Sequence, residues 1–180
     1  RSLERSTLSV VTEGGLIKKV YFPRLIIPIS ATFINLVDFA IGFLILIGMM
    51  VWYHVVPYWT VMFLPLFVVV ALLTALSVSL WLSALNVKYR DVASIVPLMT
   101  QLWMFASPVL YPASLVPESI RWLYGLNPMA GVIEGFRWTL LGKAPPDWIM
   151  VGVSLGVVTT LLLGGVMFFR RVERTFADVI

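Results

Sequence analysis

The sequence predicts an all-α, polytopic membrane protein with four transmembrane helices, and three observations carry that expectation. Hydrophobic residues make up 60% of the chain and charged residues 12%, about half the charged share of an average soluble domain. Mean hydropathy is +0.97, a surplus that a water-soluble fold has nowhere to bury. The charges are also clustered: between Asp38 and Lys88 lie 49 residues without Asp, Glu, Lys or Arg.

That uncharged stretch is too long for one helix, because about 20 residues suffice to cross roughly 30 Å of hydrocarbon. It is interrupted between Trp52 and Trp59 by Pro57 and a cluster of Trp and Tyr, rings that collect at membrane–water interfaces. The reading is a helical hairpin with spans over about 29–52 and 59–85. A third span is expected over about 95–115 and a fourth over about 148–169. Pro97, Pro108 and Pro112 predict kinks near the ends of the third.

Four spans place both ends on one side, and Lys and Arg choose the side. Arg1, Arg5, Lys18, Lys19, Arg24, Lys88, Arg90, Arg170, Arg171 and Arg174 fall on one side; Arg121, Arg137 and Lys143 fall on the other. The ten-to-three bias predicts that the first side is cytoplasmic. The net charge of +4 then reflects topology and is no sign of nucleic-acid binding.

Between spans three and four, residues 117–142 read as two short helices. Pro117-Glu118-Ser119 opens the first and Gly125 can end it. Asn127 as N-cap and Pro128 at the first helical position open the second. Met129, Val132, Ile133, Phe136 and Leu140 keep helical spacing, and Gly142 can close it. At roughly 21 Å this helix is too short to cross. The pair lies on or dips into the extracytoplasmic leaflet; a plain amphipathic surface loop is the other reading. Glu134 and Arg137, three residues apart, read as a local ion pair. Pro145-Pro146 breaks the chain before span four.

Small residues recur every fourth position at Gly152, Gly156, Thr160 and Gly164, and at Ala75, Ser79 and Ser83. Such stripes let helices approach closely in lipid, either within the chain or at a subunit contact. Catalytic equipment is sparse. The chain has no cysteine, no phosphate-cradling Gly-x-x-x-x-Gly-Lys-Ser/Thr loop and no Gly-x-Ser-x-Gly elbow. Its one histidine, His54, sits at the hairpin tip without a second ligand at metal spacing, and is read as a surface-loop residue. Asp38 lies about nine residues into span one, with Asn35 a turn earlier. A carboxylate there is costly in lipid. It either lines a polar pathway or ties helices together as a buried carboxyl. This inventory suits a transport subunit better than an enzyme.

Five stretches resemble, in family order, the permease subunit of ABC-type exporters of polysaccharides and polyol phosphates (O-antigen, capsule and teichoic-acid exporters). They are Leu16-Ile17-Lys18-Lys19-Val20-Tyr21-Phe22-Pro23-Arg24, Leu85-Asn86-Val87-Lys88-Tyr89-Arg90-Asp91-Val92, Ser107-Pro108-Val109-Leu110-Tyr111-Pro112, Leu126-Asn127-Pro128-Met129 and Ile133-Glu134-Gly135-Phe136-Arg137. The resemblance implies a bacterial inner-membrane protein whose four spans are the last four of six. It implies a homodimer of permeases bound to a dimer of separate ATPase subunits, which would hold ATP and magnesium; this chain would bind no cofactor or metal. Leu16, Lys18, Lys19, Val20, Tyr21, Phe22 and Arg24 would belong to a cytoplasmic coupling helix within residues 1–28. Asn86, Lys88, Tyr89, Arg90 and Asp91 would form a second ATPase contact in a loop over 86–94. Asn127, Pro128, Glu134 and Arg137 would belong to gate helices over 117–142, ahead of the last span and a cytoplasmic tail over 170–180. The substrate would be a lipid-linked glycan, and Asp38, Trp81, Gln101, Trp103 and Phe105 are candidates to line its path. Trp81, Trp103 and Phe105 would offer flat faces to sugars, or else pack or face lipid. Competing readings are a type-2 ABC permease for another lipid or drug, an ATP-independent channel, and a membrane-embedded transferase.

Overall fold

The computed structural model describes residues 2–12, 24–109, 117, 122–142 and 145–173. Among these the chain is helical, without strands: α1 (Ser2–Thr12), α2 (Ile26–Trp52), a 3-10 turn (Trp59–Phe63) running into α3 (Leu64–Lys88), α4 (Val92–Ala106), α5 (Pro128–Leu141) and α6 (Trp148–Glu173). Ile26–Trp52, Trp59–Lys88 and Trp148–Glu173 are each long and apolar enough to cross a membrane. The chain is an all-α polytopic membrane protein. The third expected span is shorter than predicted. Its helix α4 has 15 residues, about 22 Å at 1.5 Å per residue, and ends where the chain turns through Ser107-Pro108-Val109. Residues 110–116 lie outside the described residues. So do 16–23 of the expected coupling helix and 118–121 of the first short helix.

Local chemistry sets the helix ends. Helix α2 starts at Ile26, ahead of the predicted 29, because Pro28 falls in the first turn, where a missing N–H costs nothing. It ends in a Schellman motif: Val55 N–H donates to the Met50 carbonyl (2.8 Å) and His54 N–H to that of Val51 (3.1 Å). His54 occupies the left-handed position with φ 54°. The lone histidine therefore shapes a turn. Asp147 opens α6 by accepting from the N–H groups of Ile149 (3.0 Å) and Met150 (3.3 Å). Helix α3 runs to Lys88, so the connection to α4 is Tyr89–Asp91 alone and not 86–94. Helix α1 was not foreseen. Its hydroxyls bond back to its own carbonyls (Thr7 to Leu3, Ser9 to Ser6, Thr12 to Leu8), which lets a Ser/Thr-rich helix bury polar residues.

The chain forms two compact units, residues 1–37, 75–101 and 160–180 in one and 38–74 and 102–159 in the other. In the first, Val10, Ile27, Leu80, Ala84, Val87 and Phe169 make one buried cluster that joins α1, α2, α3 and α6. Trp81 stacks on Phe168 with ring centroids 4.8 Å apart, and its indole N–H donates to the Leu161 carbonyl at 2.9 Å. A Cβ added at Gly164 or Gly165 would come within 3.1 Å of the indole. The close approach expected of Gly164 is thus made within the chain, as is burial of Ser79 and Ser83. A Cβ at Gly152 or Gly156 would meet nothing within 4 Å, so a side chain has room at that end of the stripe. Asn86 is only 2% exposed. Its amide donates to the Thr7 carbonyl (3.0 Å) and accepts from Ala93 N–H (3.1 Å). It staples α1, α3 and α4 together.

Candidate functional site

The second unit is organised around α5, whose two ends match the sequence signals. Asn127, in extended backbone, accepts from Met129 N–H at 3.0 Å, with Pro128 at the first helical position. Gly142 takes the left-handed C-terminal position with φ 62° and returns its N–H to the Trp138 carbonyl at 2.9 Å. Buried Thr60 donates to the carbonyls of Trp138 (3.2 Å) and Thr139 (3.1 Å), in the last turn, where helix carbonyls lack intrahelical donors of their own or share them with the cap.

Asn127 does more than cap. Its Oδ1 also accepts from the indole N–H of Trp103 at 2.8 Å, and its Nδ2 donates to Ser107 Oγ (2.8 Å) and to the Ala106 carbonyl (3.3 Å). Ser107 Oγ in turn donates to the Trp103 carbonyl at 2.8 Å. One amide thus closes a polar knot between the end of α4 and the start of α5. Nearly three turns along α5, Arg137 pairs with Glu134 and donates to the Pro108 carbonyl at 3.1 Å. The Ser107-Pro108 turn is held at both ends of this short stretch. In a low-dielectric surrounding each such bond is expensive to leave unmade.

The rest of α5 fits by close approach. A Cβ at Gly135 would lie 2.0 Å from the ring of Phe67, which is 5% exposed. A Cβ at Gly131 would lie 2.8 Å from Ser154, whose Oγ accepts from Gly131 N–H (3.2 Å) and donates to the Gly125 carbonyl (3.1 Å). Phe39 tilts against Phe136 at 6.0 Å, and with Gly42, Phe43, Leu46 and Leu140 these rings line an apolar groove of about 320 Å³. At the other end, Tyr58, Trp59, Phe63, Trp138 and Trp148 follow one another at 5.5–6.4 Å between ring centres. Helix α5 therefore runs beside residues 58–67 and 150–154 of two spanning helices, with its Gly142 end at the aromatic tip.

The residues proposed for a path belong to both units. Trp81 and Gln101 fall in the first unit; Asp38, Trp103 and Phe105 fall in the second. Trp81 is committed to packing and Trp103 gives its N–H to Asn127. Asp38, Gln101 and Phe105 are exposed on this chain, and none of the five lines the groove. Of the second expected contact, Lys88, Tyr89, Arg90 and Asp91 are exposed, with the Lys88 ammonium 5.4 Å from the Tyr89 ring centre. Asn86 is corrected out of it: a buried staple cannot dock a partner. Of the coupling segment only Arg24 is described. It meets Glu173 through two hydrogen bonds. Sequence reading missed Thr60, Ser107 as a bonding partner, Ser154 and the reason for Gly135. The Ser-Pro and Asn-Pro motifs were visible, but their partnership was not.

A family model described as ABC-2 type transporter matches residues 3–141. An O-antigen export system permease protein RfbA of Myxococcus xanthus is 32% identical, over 92% of this chain and 64% of its own length. One of the same name from Klebsiella pneumoniae is 26% identical, over 99% of this chain and 69% of its own length. The chain spans about two thirds of the length of these relatives.

Proposed function

This chain belongs to the ABC-2 type transporter family, and from that premise we propose that it serves as the membrane permease of an ATP-driven exporter. The observation that carries the reading is the family match over 3–141, with relatives named as O-antigen export permeases. The cargo by this reading is a lipid-linked polysaccharide or polyol phosphate crossing a bacterial inner membrane. Two permeases pair, and a dimer of separate ATPase subunits binds ATP and magnesium. The ten-to-three distribution of basic residues supports cytoplasmic ends, and so a shared ATPase-facing side for residues 16–24 and Lys88–Asp91. Helix α5, short and flanked by the aromatic tip, is then the exit-side gate element. The Asn127 knot makes it follow the end of α4. Asp38, Gln101 and Phe105, exposed on the single chain, remain the residues for a path completed in the assembly; Trp103 acts through Asn127.

Two measurements test this. Reversing Lys18 and Lys19 together to Glu should lower copurification of the ATPase and abolish export. Arg24 is left unchanged in that variant because it also holds Glu173. Intact binding and export would remove the docking assignment. Complementation of an export-deficient strain, with the accumulated substrate identified, separates a glycan from a drug or another lipid.

A further inference from the structure

We propose that Arg24 and Glu173 are positioning residues that pass movement of the coupling segment into the last spanning helix. The inference rests on the reading of residues 16–24 as ATPase-facing, and goes beyond it to a route. The two residues are 149 positions apart and hold each other reciprocally. The backbone N–H of Arg24 donates to Glu173 Oε1 at 3.2 Å, and the Arg24 guanidinium donates to the Glu173 carbonyl at 2.7 Å. Each side chain thus serves the other residue's helix. The Glu173 carboxylate sits at the start of α2, where the helix dipole favours a negative group, and the guanidinium sits at the end of α6, where it favours a positive one. Both residues are half-buried, so salt screens this contact less than an exposed pair.

A second attachment lies one turn further in. Ile27, three residues beyond Arg24, and Phe169, four before Glu173, belong to the same buried cluster. Two attachment points along a helix resist pivoting in a way that one does not. A displacement arriving through residue 23 therefore reaches α2 and the end of α6 together. Without the clasp, the end of α6 would lose its direct hydrogen bonds to Arg24, and the motion would enter α2 first.

The test uses the complete permease reconstituted with its ATPase, reading substrate exported per ATP hydrolysed and ATPase copurified. Glu173→Ala should lower the export ratio roughly fivefold or more while copurification stays at the wild-type level. Arg24→Ala should lower the ratio at least as far, and the double variant should be no worse than Arg24→Ala alone. Glu173→Gln keeps an acceptor oxygen and removes only the charge. It should accumulate normally and lower the ratio about twofold, which keeps the test informative should the Ala variant fail to accumulate. An unchanged ratio in either Glu173 variant, or losses that add in the double variant, overturns the inference. If the wild-type permease captures no ATPase, the functional reading itself fails; if it does and Glu173 proves silent, only the clasp fails.

Discussion

Around Phe169, four helices meet through apolar side chains, whereas around Asn127 two segments meet through hydrogen bonds to a single amide. The first unit has a buried cluster reaching from Val10 to Phe169. In the second, Ala130 and Met150 make a small buried cluster with Tyr124 against them, and α5 is fitted there by glycines and directional bonds as well. The contrast matters because lipid removes the hydrophobic driving force between helices. Apolar contacts there reward shape alone, and a shape-fitted block moves as one body. Hydrogen bonds such as those of Asn127 can be exchanged for others at modest net cost, though not left unmade. The first arrangement suits transmission, and the second suits an element that changes position.

Truncation in each unit sharpens this comparison. The largest effect is expected from Phe169→Ala, which empties a fully buried site and should cost about 3–5 kcal/mol. Thermal unfolding of detergent-purified protein reads it, and an unchanged midpoint would break the picture of a shape-fitted block. In the second unit, Gly135→Ala drives a methyl into the Phe67 ring and should cost about 1–3 kcal/mol. Adding Phe67→Leu should return part of that loss if the clash is its source.

Asn127→Ala should cost about 1–2 kcal/mol by removing the cap, with a further loss from the stranded indole N–H of Trp103. Asn127→Asp divides the two roles. A carboxylate still accepts from Met129 and Trp103 but cannot donate to Ser107 or Ala106. It should unfold near the wild-type temperature yet export poorly; normal export would leave the knot as a cap alone. The smallest effect is a gain. His54→Gly relieves a left-handed φ at the hairpin tip and should stabilise by about 0.5–1 kcal/mol, visible as a small rise in the unfolding midpoint.

How much was legible follows the range of the interaction. Asn127, Pro128 and Gly142 announce α5 because capping is written within a few residues, and the start of α6 at Trp148 and the hairpin tip at 52–59 were readable for the same reason. Spans α2 and α3 were readable from their lack of charge. Helix α1 was not, because its buried face carries the polar Ser6 and Thr7 as well as Val10. Gly135 against Phe67, Ser154 against Gly131 and Trp103 with Asn127 are pairs distant in sequence, and a single sequence carries no mark of such partnership. Asn86 misled for a related reason: an amide beside Lys88 and Arg90 looks like part of a polar loop until α3 is seen to run past it. Of the stripe on α6, Gly164 packs against Trp81 within the chain, while a Cβ at Gly152 would meet nothing within 4 Å.

The central claim is that this chain is a permease driven by ATP hydrolysed elsewhere. The most direct measurement is movement of radiolabelled lipid-linked glycan into inside-out membrane vesicles containing the complete permease, with and without its ATPase and with and without ATP. The account predicts accumulation only when permease, ATPase and ATP are all present, and its loss in the Lys18→Glu, Lys19→Glu variant. Accumulation without the ATPase, or at the same rate without ATP, would contradict it.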